Sequence, residues 1–411
     1  PSSDVDLLFL RPYKQTPWAE SVIESMLYML WDMGLKVGHA FRTIDECIRL
    51  AKQDVTIRTA LLDGRHLFGD ATLSEQLHER YQQEIVRGHG ADFIAAKLKE
   101  RDARHARGGG TRYLVEPNVK ESKGAIRDLD TLYWLVKFTS GQRNLRDIAR
   151  AKALSPYEVK SFRKTADFLW TVRCHLHFLT GRAEERLSFD LQPEMAARLG
   201  CFDRAGLLGV ERFMKRYFLI SKEVGSLSRL ISSRLEAAHH KKPADLARYF
   251  SALKLNQKSV APGFRLEGNA LNIVDEKVLS EHPINLLRLF HLADRLKVDV
   301  HANALMAATR HARLAGSALR KEPEAQALFL DLMTSRNGPH HMLALMNEAD
   351  VLGRFVPEFG RIVAQTQFNM YHHYTVDEHT LRAVEAIGKI EAGDYKAEHP
   401  LSTEVMPKIQ S

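Results

Sequence analysis

Pro1-Ser2-Ser3-Asp4-Val5-Asp6-Leu7-Leu8-Phe9-Leu10 decides how the chain is read, because it describes a buried β-strand entered through a short polar turn. Side chains two apart on a strand share a face, so Asp4 and Asp6 project together while Val5 and Leu7 face the other way. Two carboxylates on one face suit a divalent cation. Hard cations such as Mg²⁺ take oxygen ligands, commonly one or two carboxylates together with the phosphate oxygens of a nucleotide, and they stabilise the charge of an in-line phosphoryl displacement. Nucleotidyl transfer is the chemistry such a pair serves. A pair of solvated acids capping a core strand would look the same at this point, so support has to come from elsewhere in the chain.

Composition sets the outer bounds. With 411 residues and 45% hydrophobic content, the chain can build two or three domains, each with its own core. Lys+Arg 59 against Asp+Glu 51 leaves a net charge of +8, spread thinly and without a long block of one sign. That charge permits a phosphate-rich ligand or an acidic partner and gives no reason to expect nucleic acid. Cys47, Cys174 and Cys201 are far apart, odd in number and match no metal-ligand spacing, which points to reduced thiols in a cytoplasmic protein and to no structural zinc. There is no charged-then-apolar leader and no run of about 18 apolar residues, so neither secretion nor membrane spanning is expected. The chain opens on a proline inside a strand motif, and its natural N-terminus is expected to lie further upstream.

Outward from the first strand, Thr16-Pro17-Trp18 places a capping residue before a proline, and Val22, Ile23, Met26, Leu27 and Leu30 recur at helical spacing. A helix therefore covers the strand. After Gly34, residues 35–42 read as a second strand with Val37 and Phe41 inward, Gly38 permitting a close backbone approach, and His39 and Arg42 available to a nucleotide phosphate. An ordinary satisfied histidine and a solvated arginine fit those two positions equally well. A helix around Asp45 to Lys52 follows, then a helix through Leu61-Leu62-Asp63 and a short edge strand over residues 65–70. Strands alternating with helices define an α/β domain.

Beyond Ala71 strand signals nearly vanish and helical periodicity takes over. Gly108-Gly109-Gly110 reads as a linker or a mobile loop. Residues 113–135 then gather acids, bases and an amide (Glu116, Asn118, Lys120, Glu121, Lys123, Arg127, Asp128, Asp130) around a turn that opens an apolar helix. The free N–H groups of such a helix start could hold a phosphate, and a network of structural ion pairs fits the same residues. Ser155-Pro156-Tyr157-Glu158 is a capping box, Gly268-Asn269 marks a hairpin, and Leu286, Leu289, Phe290 and Ala293 trace an amphipathic helix.

Five motifs, in this order, resemble the family of PII-protein uridylyltransferases and uridylyl-removing enzymes. They are Ser3-Asp4-Val5-Asp6-Leu7-Leu8, Val37-Gly38-His39-Ala40-Phe41-Arg42-Thr43, Glu116-Pro117-Asn118-Val119-Lys120-Glu121 with Arg127-Asp128-Leu129, Phe189-Asp190-Leu191-Gln192-Pro193, and Asn369-Met370-Tyr371-His372-His373-Tyr374-Thr375-Val376-Asp377-Glu378-His379. The resemblance implies α/β then all-α: a partial polymerase β-like nucleotidyltransferase domain over residues 1–107, a helical middle domain over 108–345, and the start of a helical HD phosphohydrolase domain over 346–411. It implies that Asp4 and Asp6 are the catalytic carboxylates, holding Mg²⁺ (or Mn²⁺) and positioning UTP for attack by a tyrosine hydroxyl of the PII signalling protein. Gly38, His39 and Arg42 would lie on the nucleotide side. His379 would be the first metal-ligating histidine of the HD site that removes UMP, with glutamine as effector of the full-length enzyme.

Several departures accompany the resemblance. The glycine-rich segment expected before the Asp-x-Asp strand, the later His-Asp and Asp ligands of the HD site and the amino-acid-binding regulatory domains are not in this sequence. A third carboxylate is expected near the first two but is not found on the second strand, which leaves Asp54 as the residue to test. Ser122 and Ala125 stand where the family usually has glycine, which would loosen or re-aim that turn. The chain therefore reads as a stretch truncated at both ends, a fragment that need not be active alone. Two other readings remain open: a helical module that docks a PII-like partner without catalysis, and a related protein adenylyltransferase. The stretch from Tyr374 to His379 disfavours the adenylyltransferase, because that relative lacks an HD motif.

Overall fold

The structure, a computed structural model, describes residues 4–13, 16–108, 111–204, 206–239, 259–368 and 373–409. Its N-terminal strand forms as the apolar run dictates: β1 (Val5–Arg11) pairs in parallel with β2 (Val37–Thr43), from Val5 opposite Val37 to Arg11 opposite Thr43. A parallel pair needs a crossover, and α1 (Pro17–Asp32) supplies it. Its start is fixed by Pro17 and by the Thr16 hydroxyl oxygen, which accepts from the Ala19 N–H at 3.3 Å. At the end of β2, Thr43 and Glu46 cap α2 (Ile44–Gln53) reciprocally, with bonds of 2.7 and 3.2 Å. Arg11 reaches the same Glu46 at 3.1 Å, tying the end of β1 to the start of that helix. Cys47 sits fully buried inside α2, and burial pushes its thiol up to about 11.

Asp54 caps α3 (Val55–Asp63). The edge strand expected over residues 65–70 does not form. Gly69 takes a left-handed turn (φ 92°), the Asp70 carboxylate accepts from the Thr72 N–H at 2.8 Å to start α4 (Ala71–Tyr81), and Leu67 and Phe68 stay exposed. Turn and capping chemistry outweighs two apolar residues that have no sheet to join. The helices α5 (Gly90–Arg107) and α6 (Ile126–Ser140) then pack around stacked Phe93 and Phe138, whose ring centroids are 4.0 Å apart, with Ile48, Ile85, Ile94 and Leu135 around them. A neighbouring cluster joins Leu132 and Val136 of α6 to Ile148 of α7 (Leu145–Arg150) and Val159 of α8 (Pro156–Thr180). The Ser155–Glu158 capping box forms as its sequence requires.

After α9 (Gln192–Arg198), one long helix, α10 (Gly209–His239), carries the apolar residues around 213–218 and 227–235. A small sheet follows, ordered β3 (Ser259–Ala261), β4 (Phe264–Glu267), β5 (Ala270–Ile273), β6 (Asp299–Val300). The hairpin between β4 and β5 turns at Gly268-Asn269, where Gly268 has φ 61°. Helices α11 (Lys277–Glu281), α12 (Asn285–Leu296), α13 (Ala302–His311), α14 (Ser317–Arg320), α15 (Pro323–Met333), α16 (Pro339–Glu348), α17 (Leu352–Phe355) and α18 (Pro357–Ile362) enclose a core that includes Phe264, Leu271, Leu286, Leu289 and Phe290. The last long helix is α19 (Val376–Ala392).

Contacts divide the chain into two units that interleave in sequence. The first draws on Pro1–Thr111, Asn118–Leu187 and Glu223–His240; the second on Arg112–Pro117, Ser188–Lys222 and Lys241–Ser411. Mostly helical with small sheets, the protein has an α/β start and a helical continuation. Among the described residues, no helix is long and apolar enough to cross a membrane.

Candidate functional sites

In the first unit, Asp6 and Gly38 are register partners on the parallel strands. A Cβ on Gly38 would lie 2.7 Å from Asp6 Oδ1, so the missing side chain is what lets the carboxylate lie across β2. Asp4 precedes β1 by one residue, and strand alternation puts it on the Asp6 side. Arg42, opposite Leu10 and four residues beyond Gly38, is on that face too. His39 pairs with Leu7 and belongs to the opposite face, with Val37 and Phe41; Arg11 lies 5.2 Å over the Phe41 ring there. The sheet thus brings Asp4, Asp6, Gly38 and Arg42 together and sets His39 apart.

Asp54 has a separate task. Its Oδ1 accepts from the backbone N–H groups of Thr56 (2.6 Å) and Ile57 (3.2 Å) at the start of α3. Those backbone bonds, Ile57's first, hold its carboxyl below the usual range. Among the described residues no group of three or more His, Cys, Asp or Glu side chains forms a metal cage. Asp4 and Asp6 nonetheless fit a hard cation that arrives with a nucleotide, since one or two carboxylates are the donors Mg²⁺ takes when phosphates complete its shell.

The charged turn over residues 118–128 is internally bonded. Asn118 Oδ1 accepts from the N–H groups of Lys120 (3.0 Å) and Glu121 (2.7 Å), and the Asn118 N–H donates to the Ser122 hydroxyl at 2.9 Å. Ser122 therefore tightens the turn. Ala125 is fully buried at φ −98°, and only Gly124 (φ 80°) needs glycine. Asp128 is 2% exposed, yet it takes the Gly124 N–H (2.7 Å), His105 Nε2 (2.9 Å) and the Arg104 guanidinium. Burial alone would raise its pKa, but the His105 bond and charge, with Gly124 and Arg104, outweigh burial and hold it below the ordinary carboxylate value. Arg104 and His105 come from α5, and nothing in the sequence pattern marks them as partners of an aspartate more than twenty residues away.

Asp130 is the other carboxylate the motif reading did not single out. Burial lifts it to about 6 despite Arg127 at 3.5 Å, and the Asp63 charge pushes the same way. It lies far from the acids of β1 in sequence, and its Asp-x-Asp spacing with Asp128 is the signal that could have found it.

In the second unit, motif residues far apart in sequence meet. The N–H of Val115 donates to the His373 carbonyl (3.1 Å), the N–H of Thr375 donates to the Tyr113 carbonyl (3.2 Å), and Leu114 pairs antiparallel with Tyr374. Glu116 accepts from the Phe189 N–H at 2.8 Å, and Gln192 Nε2 donates to the Val115 carbonyl at 2.8 Å. This short bridge delivers the chain into α19, where His379 sits exposed in the first turn with its N–H bonded to the Thr375 carbonyl at 2.9 Å. Asn369, Met370, Tyr371 and His372 lie outside the described residues. Asp377, fully buried two residues before His379, belongs to the fifth motif, but no spacing in the sequence marks it as buried.

Sequence comparison supplies the class first: residues 92–231 match the family model described as "GlnD PII-uridylyltransferase", and residues 264–355 match "Uridylyltransferase GlnD third domain". The chain belongs to this PII-uridylyltransferase family. It is 54% identical over 411 residues to a bifunctional uridylyltransferase/uridylyl-removing enzyme of Phenylobacterium zucineum (strain HLK1), covering 100% of this chain and 44% of that protein. A protein of the same description from Caulobacter vibrioides (strain NA1000 / CB15N) is 53% identical over 412 residues, again with 44% of its length covered. The chain thus spans less than half the length of these curated relatives. No solved structure matches it.

Proposed function

We propose that this chain is part of a cytoplasmic enzyme that transfers UMP from UTP to a tyrosine hydroxyl of a PII signalling protein, releasing pyrophosphate, and that removes the UMP again at a second, HD-type site. The observation that carries the reading is the identity of 54% along the whole chain to a relative named for both activities. The Asp6–Gly38 pairing supports it from the structure, because it leaves an acid pair exposed on an open strand face.

Mg²⁺ bound with the nucleotide would neutralise charge on the transferring phosphoryl group. Asp4 and Asp6 are the residues that would hold it. Gly38 leaves room for the Asp6 carboxylate, and Arg42 puts a fixed positive charge on the face where triphosphate charge has to be accommodated. His39, on the other face, has no part in that arrangement. His379 is the histidine that would bind metal for UMP removal in the second unit, and glutamine is the effector such an enzyme would sense.

Labelled UMP transfer from UTP and Mg²⁺ to purified PII tests the proposal. The comparison is between this chain, the same chain extended to the length of its relatives, and the extended form carrying Asp6→Asn. Transfer by the extended form that falls on the order of a hundredfold or more with Asp6→Asn is the expected result. Absence of transfer by the extended form at any glutamine concentration would overturn it. Asp54→Ala in the same assay decides the third carboxylate: a residue that only caps α3 leaves the rate unchanged.

A further inference from the structure

We propose that the solvent side of α1 is the docking surface for the protein that receives the nucleotidyl group, an apolar row that ends beside Asp4 and Asp6. The inference rests on the reading of those acids as the transfer site given above, and the docking itself needs no bound metal.

Two apolar rows run along α1. Ala19, Ile23, Leu27 and Leu30 recur at helical spacing on its inner side, where Leu27 is buried and the others are half-buried. Trp18, Val22, Met26, Met29 and Met33 form a second row, four, four, three and four residues apart and roughly half a turn from the first. All five are exposed, Trp18 at 77%, Met29 at 59% and Met33 at 71%. Beside them Tyr28 and Trp31, also exposed, meet edge to face with ring centroids 5.6 Å apart. A helix with apolar rows on opposite sides is built to be covered on both, and a contiguous apolar surface on a folded protein marks a place where another molecule sits.

The residue types say what kind of molecule. The cores of this protein are built mainly from Leu, Ile, Val, Ala and Phe. The outer side of α1 is instead Trp, Tyr and Met, the types that protein interfaces concentrate and that anchor them, with thioethers that adapt to a partner's shape. That favours a separate protein over a further part of the same chain. Charge narrows the choice: α1 carries Glu20, Glu24 and Asp32 and no Lys or Arg, within a chain of net charge +8. The surface that fits it is apolar with basic residues around it.

Topology ties this surface to the acids. Because β1 and β2 are parallel, α1 runs back along them, and its C-terminal end returns to where both strands begin. There the Val5 N–H donates to the Lys36 carbonyl at 2.8 Å, Asp4 precedes β1, and Asp6 lies opposite Gly38. Met29, Trp31 and Met33 thus stand at the acid end of the sheet. An acceptor hydroxyl carried by a protein has to reach a phosphoryl group held at those acids, and a partner gripped at this end of α1 is oriented to present it.

The test uses the chain extended to the length of its relatives. Two variants are compared with it: Met29→Lys combined with Met33→Lys, and Leu330→Lys, at an exposed apolar position of α15 in the second unit. Lysine is a good helix former and is favoured near a helix C-terminus, so the double variant is expected to keep its melting temperature. Three quantities are measured: Kd for labelled PII with neither nucleotide nor metal present, UMP transfer split into kcat, KM for PII and KM for UTP, and oxidative footprinting of Met29 and Met33 with and without PII. In the double variant Kd and KM for PII are expected to rise about tenfold or more while kcat and KM for UTP stay unchanged. Leu330→Lys is expected to behave as its parent, and PII to slow oxidation of the two methionines. Unchanged affinity for PII in the double variant would overturn the proposal. So would methionines already protected in the extended chain alone, which would show that the chain covers its own row, or a dimer that the double variant converts to monomer, which would give the row to a second copy. PII binding that depends on Met29 and Met33 without any UMP transfer would support the docking surface and fail the transfer reading; transfer by the double variant with KM for PII unchanged would fail the docking surface alone.

Discussion

Asp128 and Asp130 differ by two positions and by almost everything else. Asp128 is deeply buried but matched by Arg104, His105 and the Gly124 N–H, which keep it ionised. Asp130 has Arg127 at 3.5 Å and a second acid, Asp63, in its field, and burial wins. Its folded pKa of about 6 lies above the ordinary value of 3.8. Between those two pH values the folded chain holds the proton more tightly than the unfolded chain, so stability falls as pH rises through the window and stays lower above it. Asp130→Asn is thus expected to raise stability at pH 7.5 by about 1 kcal/mol, a figure discounted because the side chain is 32% exposed, and to leave it unchanged below pH about 4. Chemical denaturation at the two pH values measures this. Equal effects at both would assign the change to packing.

At the scale of elements, local rules made much of the fold legible. The apolar run at residues 5–10, Thr16-Pro17, Ser155-Pro156 and Gly268-Asn269 each specify their structure through neighbours in sequence, and each forms where the pattern puts it. Legibility failed where a distant partner decides. It failed once on local grounds as well, where the apolar pair Leu67-Phe68 lost to the neighbouring Asp70 cap. The acid pair of β1 could be read from alternation alone, whereas Asp128's partners on α5 and Asp377's partner on α16 could not, because folding brings them together and no short-range spacing encodes it.

Strand register also yields a prediction. Gly38→Ala places a methyl 2.7 Å from Asp6 Oδ1, and the carboxylate has to swing away because β2 backbone cannot. UMP transfer is expected to drop at least tenfold in the extended chain while the melting temperature moves little, since Gly38 is exposed and at the sheet face. Full activity in Gly38→Ala would show that the carboxylate position seen here is not the working one.

For the whole molecule, the interleaved units assign the two sets of residues proposed for the two reactions to different bodies: Asp4 and Asp6 to the first, His379 to the second. Substitutions at one set are therefore expected to spare the other chemistry. In the extended chain, His379→Ala should stop UMP release and leave transfer within about twofold, the scatter allowed to distant independent sites, and Asp6→Asn should do the reverse. Parallel assays of both reactions on both variants measure this, and a variant that lowers the two rates together would show that the bodies do not act independently. Family membership was legible in the five motifs; that residues 112–117 belong with residues 188–222 and not with their own sequence neighbours was not, because it depends on hydrogen bonds to Phe189, Gln192 and His373.

The parallel register of β1 and β2 also sets a clock. Val5 waits for Val37, 32 residues later in the chain, before its ladder can close. At ribosomal rates of about 5–20 residues per second, that is an interval of roughly 2–6 seconds in which Leu7, Leu8 and Phe9 have emerged with no strand to receive them. A nascent chain of this protein leaves the β1 segment unpaired for that interval, and a chaperone that grips extended apolar segments would find a target there.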